Sequence, residues 1–436
     1  MTLVLPALPD GWVRTRIDKV ATVNARIGWK ALTSDEYQED GYVFLATPNI
    51  KSSEIDFRNV NYITEGRYEE SPELKLQAGD VLLAKDGNTL GIVNIVKSLP
   101  RPATVNGSIA VLRPFGVDSA FLRYVLASDV TQAAIDMLRG GMGVPHLFQW
   151  DINRLPVPRP PMNEQRRIAK YLDVVTSRID RLVELRRRQT TLIEERSFGE
   201  IFNTLRGAGV DGNRKHSGLD WLGDIPASWP VLRVSQEFEV RLGKMLNQER
   251  VVGEHMRPYL RVVNVQWDHI TTDDLVEMNF PPSERKRYEV LPGDLLINEG
   301  GSFPGRAATW DGRMPEIYYQ KALHRARSRG RSVVRWLYYC LRLALELKVF
   351  EVEGNSTTMT HLTGDQLAAH RFPFPESDVQ KRLVSELDVA ISHSRAITLA
   401  IDTQIRLLQE RRQALITAAV TGQFDVSAAS GRGVEM

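Results

Sequence analysis

The fold of this 436-residue chain is decided by the stretch PPMNEQRRIAKYLD, which runs from Pro160 to Asp173. Two prolines open the stretch, and apolar residues then recur at alternating steps of four and three. Because proline blocks entry into a helix but not its continuation, a helix is predicted to begin here. The 3.5-residue spacing of the apolar positions is typical of a coiled coil. We expect this helix to occupy residues 159–208.

The same pattern returns 215 residues later, which indicates an internal duplication. A second helix is predicted over residues 374–425, followed by a tail over 426–436. Helices of some 40 residues are about 60 Å long and would bury their apolar seams most simply against each other, in antiparallel order. Alternatively, each helix packs on its own globular module. The predicted seam residues are Gln165, Ile168, Leu172, Val175, Ile179, Leu182, Gln380, Leu383, Leu387, Ile397, Ile401 and Leu408.

The two remaining segments, 1–158 and 209–373, are predicted to be mixed α and β modules. Gly79-Asp80 precedes the apolar run 81–84, and Gly293-Asp294 precedes a similar run, so each copy is predicted to contain a hairpin followed by a helix. The predicted fold class is therefore α+β: two pseudo-repeated globular α/β domains separated by a pair of long helices that form an antiparallel coiled coil.

Composition narrows the class of protein. The hydrophobic share of 42% and the charged share of 25% are ordinary for a globular chain, so a disordered or disulfide-rich protein is excluded. The lone Cys340 favours a reducing compartment. The most apolar run, 333–350, contains four charged side chains, so we expect no membrane span and a cytoplasmic location. The net charge of +2 by itself does not indicate nucleic-acid binding.

Two motifs resemble a known family. The Pro-Pro-Met-Asn-Glu-Gln entry at 160–165 resembles the helix entry of specificity subunits of type I restriction-modification systems, and the run 409–423 resembles the end of that family's second helix. The second copy departs from the pattern at Val379, where the family has Glu, and the first copy departs at 197–200.

The resemblance implies a DNA-specificity subunit without catalysis of its own. Its two target-recognition domains would each read half of a split, asymmetric site in double-stranded DNA. Two methyltransferase subunits and motor-nuclease subunits would dock on it, and the methyltransferase would modify an adenine taken out of the stack in each half-site. No cofactor is expected in this chain, because S-adenosylmethionine, ATP and magnesium would belong to the partner subunits.

Two loops at equivalent positions are candidate DNA contacts. Lys85 and Asn88 lie in one, and Asn298 and Arg306 lie in the other. Cations suit phosphate or guanine, and Asn suits the edge of adenine. The alternative interpretation is that these loops are only tight hairpins, whose glycines adopt positive φ and whose charged side chains are solvated.

A second pair of matched loops contains small residues and ends in histidine. We predict DNA contacts from these loops or, alternatively, a packing or capping role at a helix start. A third candidate is the alternating arginine run from Arg325, which suits a phosphate backbone or an edge strand protected by charge. The candidates in these segments are Arg139, His146, Thr358, His361, Arg325 and Arg327.

Two rival functions stay open. An orphan, two-headed DNA-binding or scaffold protein would bind a bipartite site without a methyltransferase. A metal-dependent nuclease would use Asp56 with the Glu73-x-Lys75 spacing, but the second copy lacks this pattern. The loop 300–305 has the spacing of a phosphate-binding loop, but Arg306-Ala307 stands where Lys-Ser/Thr is required.

Overall fold

The computed structural model describes residues 5–25, 32–140, 144–245, 252–300, 303–350 and 361–426. The predicted contact Thr358 lies outside these residues. The chain forms two compact units. The first unit combines Met1–Arg187 with Ile401–Met436, and the second unit is Arg188–Ala400.

The first unit contains a four-stranded and a three-stranded sheet, which share one core cluster, and a two-stranded pair. A four-stranded antiparallel sheet has the order Ala21–Asn24, Ile109–Pro114, Val81–Ala84, Val93–Ile95. A three-stranded sheet has the order Asn61–Ile63, Tyr42–Leu45, Ala103–Val105, with one antiparallel and one parallel pair. Val13–Arg16 pairs with Pro156–Arg159. Its short α-helices are Glu65–Glu69, Ser119–Ala127, Asp129–Leu138 and Gln149–Arg154.

The second unit repeats this plan. Its four-stranded antiparallel sheet has the order Phe238–Leu242, Leu323–Ser328, Leu295–Asn298, Ala307–Thr309. Its three-stranded mixed sheet has the order Val276–Asn279, Met256–Leu260, Tyr318–Tyr319. Three two-stranded pairs are Arg214–His216 with Asp224–Pro226, Val231–Arg233 with Arg371–Pro373, and Val265–Gln266 with His269–Ile270. Its short α-helices are Val234–Glu237, Pro282–Tyr288, Val334–Glu346 and Gly364–Ala369.

Two helices of 44 residues complete the fold, and each contributes to both units. The first long helix is Met162–Leu205, and the second long helix is Ser377–Val420. In the first unit, the early residue Leu172 of the first long helix shares a core with the late residues Ile416 and Val420 of the second. An ion pair from Arg412 Nε to Asp180 Oδ1, 2.8 Å long, also joins them.

The second unit shows the reverse order. The late residues Ile201 and Leu205 of the first long helix share a core with the early residues Leu387 and Ile391 of the second. Within each unit, therefore, the helices pair in antiparallel order. The predicted α+β class with two repeated units and an antiparallel pair of long helices is confirmed.

Two predicted seam residues are not buried. Leu182 is 47% exposed, and the buried position is its neighbour Val183. Ile397 is 37% exposed, and the next buried apolar residue is Ile401. A helix of 3.6 residues per turn drifts against a strict 3.5-residue repeat, so a seam extrapolated over several turns moves to an adjacent residue. Among the other predicted positions, Val175 and Leu408 are half-buried and the rest are buried: Gln165, Ile168, Leu172, Ile179, Gln380, Leu383, Leu387 and Ile401.

Two buried glutamines bind the start of the long helices to the rest of the fold: Gln165 in the first unit and Gln380 in the second. Gln165 Oε1 accepts a hydrogen bond from the backbone N–H of Asp118 at 2.8 Å, and its Nε2 donates to the carbonyl of Pro160. Gln380 does the same with the N–H of Val333 at 2.9 Å and the carbonyl of Pro375. Both side chains are almost completely buried, which explains why an amide recurs at this offset.

A tyrosine–aspartate hydrogen bond lies about two turns further along each long helix. The hydroxyl of Tyr124 donates to Asp173 at 2.7 Å, and that of Tyr339 donates to Asp388 at 2.6 Å. Burial raises the pKa of Tyr124 to about 12, so its hydroxyl stays protonated as the donor at neutral pH. The repeat thus extends to individual hydrogen bonds.

Each long helix ends in a glycine against a proline–tryptophan turn. Gly207 has φ of 67°, and a Cβ there would lie 2.6 Å from Pro226 and 3.0 Å from Trp229. Gly422 has φ of 74°, and a Cβ there would meet Pro9. The positive φ and the close approach both require glycine.

None of the helices in the described ranges is long and apolar enough to cross a membrane.

Candidate nucleic-acid interface

In the first unit, the structure brings two of the predicted loops together. The backbone N–H of Leu147 donates to the carbonyl of Lys85 at 2.9 Å, and that of Gly87 donates to Pro145 at 2.9 Å. The His146 Nδ1 contacts the Asp86 carboxylate. The loop that follows strand Val81–Ala84 and the loop before helix Gln149–Arg154 therefore form one surface.

The second unit pairs its equivalent loops in the same way. The N–H of Leu362 donates to the carbonyl of Glu299 at 2.7 Å, and His361 forms a β-bridge with Gly300. These positions lie 214 or 215 residues beyond their counterparts in the first unit. The loops that the sequence predicts to be equivalent are also equivalent in structure, although their side chains differ.

Two predicted DNA contacts in these loops point inward. The side chain of Lys85 is buried, 2% exposed, and its Nζ lies 3.2 Å from an Asp86 oxygen. Asn298 is 1% exposed, and its Nδ2 donates to the carbonyl of Val265 at 3.3 Å. In this structure both side chains fix the loop conformation and do not reach the surface.

The predicted arginine run is also engaged internally. Arg325 is 1% exposed, and its Nη2 pairs with Glu239 at 3.1 Å. Arg327 makes a two-bond pair with Asp294, with both distances 2.7 Å. Alternation in the strand does place both arginines on one side, as expected, but that side faces carboxylates of neighbouring elements. We therefore correct the prediction that they follow a phosphate backbone.

Arg113 of the first unit shows that this arrangement belongs to the repeated framework. It pairs with Asp80 through two bonds of 2.8 Å, and Asp80 is 1% exposed. Both aspartates follow glycine at the start of a strand, and each accepts a further bond from a backbone N–H, that of Gln77 or Leu291. The Gly-Asp motif therefore binds a structural arginine in each unit.

The remaining described candidates are accessible. Asn88 and His361 are exposed, and His146 and Arg306 are half-buried. Arg139 is 55% exposed at its side chain and lies 3.4 Å from Asp136. These five residues stay predicted DNA contacts.

The sequence reasoning missed an exposed aromatic pair beside His146. Phe148 and Trp150 are 41% and 54% exposed, and their rings stack with centroids 6.3 Å apart. The Phe148 ring meets the His146 ring edge-on at 4.5 Å, and Arg154 lies over Trp150 at 5.2 Å. Exposed aromatic rings beside cations suit contact with bases. The sequence feature that could have revealed this pair is the presence of two aromatic residues within four positions of the predicted contact His146.

In the second unit, Arg306 was predicted from the sequence, but the two residues that hold its side chain, Phe303 and Gln266, were not. The guanidinium lies over the Phe303 ring, 3.4 Å from the centroid, and Nη1 donates to Gln266 Oε1. Phe303 is 52% exposed. The first unit has Ile92 and Thr89 at the positions of Arg306 and Phe303. The two surfaces thus share a backbone arrangement and differ in chemistry.

The contacts of Asp56 do not favour a metal-dependent nuclease, because both carboxylate oxygens already accept hydrogen bonds. One carboxylate oxygen accepts from the Arg58 N–H at 2.9 Å, and the other accepts from Lys51 and Asn59. Among the residues that the structure describes, no group of three or more His, Cys, Asp or Glu is arranged to hold a metal ion.

Comparison with known proteins agrees with the geometry. A family model described as the type I restriction modification DNA specificity domain matches residues 9–190. The EcoKI specificity subunit of Escherichia coli K12 is 24% identical over 300 residues, which cover 66% of this chain and 61% of that protein. The MjaIX specificity subunit of Methanocaldococcus jannaschii is 24% identical over 380 residues, covering 85% and 83%. For the first three relatives, the matched region spans 44% to 61% of their length.

Solved structures share the fold over nearly the whole chain. A chain from a structure of the type I R-M system matches with a TM-score of 0.73 at 18% identity, covering 96% of this chain and all of that chain. The HsdS subunit from Thermoanaerobacter tengcongensis matches with a TM-score of 0.55 at 18% identity, covering 97% and all of that chain. The chain is thus similar over residues 9–190 to type I restriction-modification DNA specificity domains, and it shares the fold of a solved HsdS subunit.

Proposed function

We propose that this chain reads a bipartite, asymmetric site in double-stranded DNA as the non-catalytic specificity subunit of a type I restriction-modification complex. The observation that carries the proposal is a repeated framework with unlike loops. The bonds of Asp80 and Asp294 and of Gln165 and Gln380 repeat. A repeated scaffold with differing contact residues suits two half-sites of different sequence.

The chemistry of methylation and cleavage is assigned to partner subunits. They would hold S-adenosylmethionine, ATP and magnesium, and they would comprise two methyltransferase subunits and motor-nuclease subunits working in the cytoplasm. In this assignment, residues 1–158 and 209–373 are the recognition domains, and residues 159–208 and 374–425 are the helices.

Exposed leucines on the long helices support a docking role for these helices. Leu182 and Leu185 are 47% and 53% exposed, and Leu192 is 54% exposed. At 3.6 residues per turn, the three residues lie along one side of the first long helix. On the second long helix, Val389 and Leu399 are 70% and 61% exposed. Such side chains suit the apolar centre of an interface with a partner protein.

The decisive experiment is co-expression of this chain with its cognate methyltransferase, followed by single-molecule sequencing of methylated adenines in the host. The expected result is a stable complex and one split motif modified throughout the genome. No association together with no modified motif would contradict the proposal. Tight binding of a bipartite site by the chain alone, without any methyltransferase, would indicate the orphan DNA-binding protein instead.

Docking of the methyltransferase is tested separately at Leu182. Leu182→Asp should leave the melting temperature nearly unchanged, because the side chain is already exposed, and should weaken co-purification of the methyltransferase. Gln404→Asp, at an exposed position of the second long helix, is the control. Unchanged co-purification of both variants would place the methyltransferase elsewhere.

A further inference from the structure

Arg306 has no acidic partner among the described residues, unlike three neighbouring arginines of the same sheet and its loops. Arg325 and Arg327 pair with Glu239 and Asp294, and Arg313 pairs with Asp311 at 2.7 Å. For Arg306, no carboxylate of the described residues lies within the 4.0 Å of an ion pair. Its positive charge is therefore uncompensated, at the loop that pairs with His361.

The guanidinium of Arg306 is nevertheless held in one orientation. Its carbon lies 3.4 Å from the Phe303 ring centroid, and Nη1 donates to the Gln266 amide oxygen. An arginine has five N–H donors in a fixed plane, so most of them stay available after the bond to Gln266. Because stacking and the hydrogen bond already restrict the side chain, a ligand that binds it loses little additional rotamer freedom.

The hairpin that carries Gln266 is held in place by ion pairs at its turn. Gln266 belongs to the hairpin Val265–Gln266 with His269–Ile270, and Asp268 occupies its turn with φ of 58°. The Asp268 carboxylate accepts from Arg335 at 3.1 Å and from Arg395 at 3.2 Å. A site held by a second layer of contacts keeps the geometry that specific recognition needs.

We propose that Arg306 reads a guanine in the major groove, with Phe303 and Gln266 as positioning residues. This inference rests on the proposed function. A planar arginine fork matches the O6 and N7 acceptors of guanine, which is the commonest specific contact in DNA recognition. A phosphate contact needs charge but no fixed orientation, and lysine satisfies it as well. Since Ile92 occupies the corresponding position of the first unit, the contact belongs to the second half-site alone.

The test is the methylation motif of the complex with Arg306→Gln and Arg306→Lys. The wild-type motif should contain a guanine in the half-site read by the second unit. Both variants should accept other bases at that one position, with discrimination lowered by roughly 5- to 150-fold, the range of one bidentate base contact. The other half-site should be unchanged. Arg313→Gln, which removes an arginine already paired with an acid, is the matched control and should keep the wild-type motif.

Positioning is tested with Phe303→Leu and Gln266→Ala, which keep Arg306. Each should relax the same position, but less than Arg306→Gln does. Thermal unfolding of every variant shows that the unit is folded, and a shifted motif at one base is a readout that a merely structural role would not change.

Several results would overturn the inference while leaving the proposed function intact. One is a wild-type motif without guanine in that half-site. Another is Arg306→Lys retaining the full motif while Arg306→Gln lowers methylation equally at all sites, which would indicate a phosphate contact. A third is an unchanged motif in all four variants. A wild-type complex that methylates no motif would instead overturn the proposed function, and the inference with it.

Discussion

The side chain of Gln165 accepts a hydrogen bond from the backbone N–H of Asp118 at 2.8 Å, deep in the first unit. Its Nε2 donates to the carbonyl of Pro160, so one side chain binds a backbone group before each of two helices. Asp118 in turn caps the helix Ser119–Ala127. A single amide therefore connects the long helix to the helix that packs on the sheet.

Gln165→Ala should destabilise the first unit by about 1–3 kcal/mol, because a buried N–H and a buried carbonyl lose their partner. Gln380→Ala should cost a similar amount in the second unit. Chemical denaturation of each variant measures the change. Gln404→Ala, at an exposed position of the second long helix, is the control and should stay within about 0.5 kcal/mol of wild type. If all three variants lost the same free energy of unfolding, the buried hydrogen bonds of Gln165 and Gln380 would add no stability beyond that of an exposed position.

Gly207→Ala and Gly422→Ala should each destabilise the protein by at least about 1–2 kcal/mol. The positive φ alone costs that much for a residue with a Cβ, and contact with Pro226 or Pro9 adds to it. Gly199→Ala is the matched control. A Cβ there meets nothing within 4 Å, and Gly199 lies inside a helix, so the change should stabilise by about 0.5–1 kcal/mol. A stabilising Gly207→Ala would contradict the described helix end.

Arg113→Met and Arg327→Met should each cost about 2–3 kcal/mol, because they leave the buried carboxylates of Asp80 and Asp294 without a cation. The partial exposure of both arginines keeps the loss below that of a fully buried pair. Urea unfolding gives the values. Arg16→Met, which breaks an exposed pair with Asp18, should cost less than about 1 kcal/mol. A loss that is no larger than this control would argue against the repeated Gly-Asp–arginine arrangement.

Stability of the first unit should fall as the pH drops below about 4. The hydrogen bond from Lys51, with those from the Arg58 N–H and Asn59, holds the pKa of Asp56 well below its ordinary value. The folded state therefore binds fewer protons than the unfolded chain, and its advantage is complete above the unfolded pKa, about 3.9, and lost as the pH falls through the lower folded pKa.

Melting temperatures between pH 2 and pH 7 test this expectation. Asp56→Asn should lower the melting temperature at pH 7 and flatten the decline at acidic pH. The exposed Asp35→Asn serves as the control and should follow the wild-type curve. An Asp56→Asn curve parallel to that of the wild type would refute the role of this carboxylate.

Much of the architecture could be predicted from the sequence, because a long apolar repeat and a 215-residue offset are properties of the chain itself. The helices, their antiparallel pairing and the equivalence of the loops follow from these two signals. Leu182 was placed wrongly because a small drift per heptad moves the seam to Val183.

The contact residues were harder to predict, because burial depends on partners distant in the chain. The cation of Arg325 is compensated by Glu239, 86 residues away, and no local pattern reveals this pair. Gln266 supports Arg306 across 40 residues for the same reason. Sequence type indicates which side chains can bind DNA, whereas tertiary contacts decide which of them are available.

The hydrogen bond from the N–H of Asp129 to Thr417 Oγ1, 2.9 Å long, joins residues 288 apart in the chain. The first unit needs Ile416 and Val420 to complete its core. During synthesis, the apolar side of Ile168 and Leu172 must therefore wait uncovered while more than 240 further residues emerge from the ribosome. Nascent chains should thus depend on chaperones until residues 416–420 have been synthesised, and termination before that point should leave an aggregation-prone fragment instead of a working half.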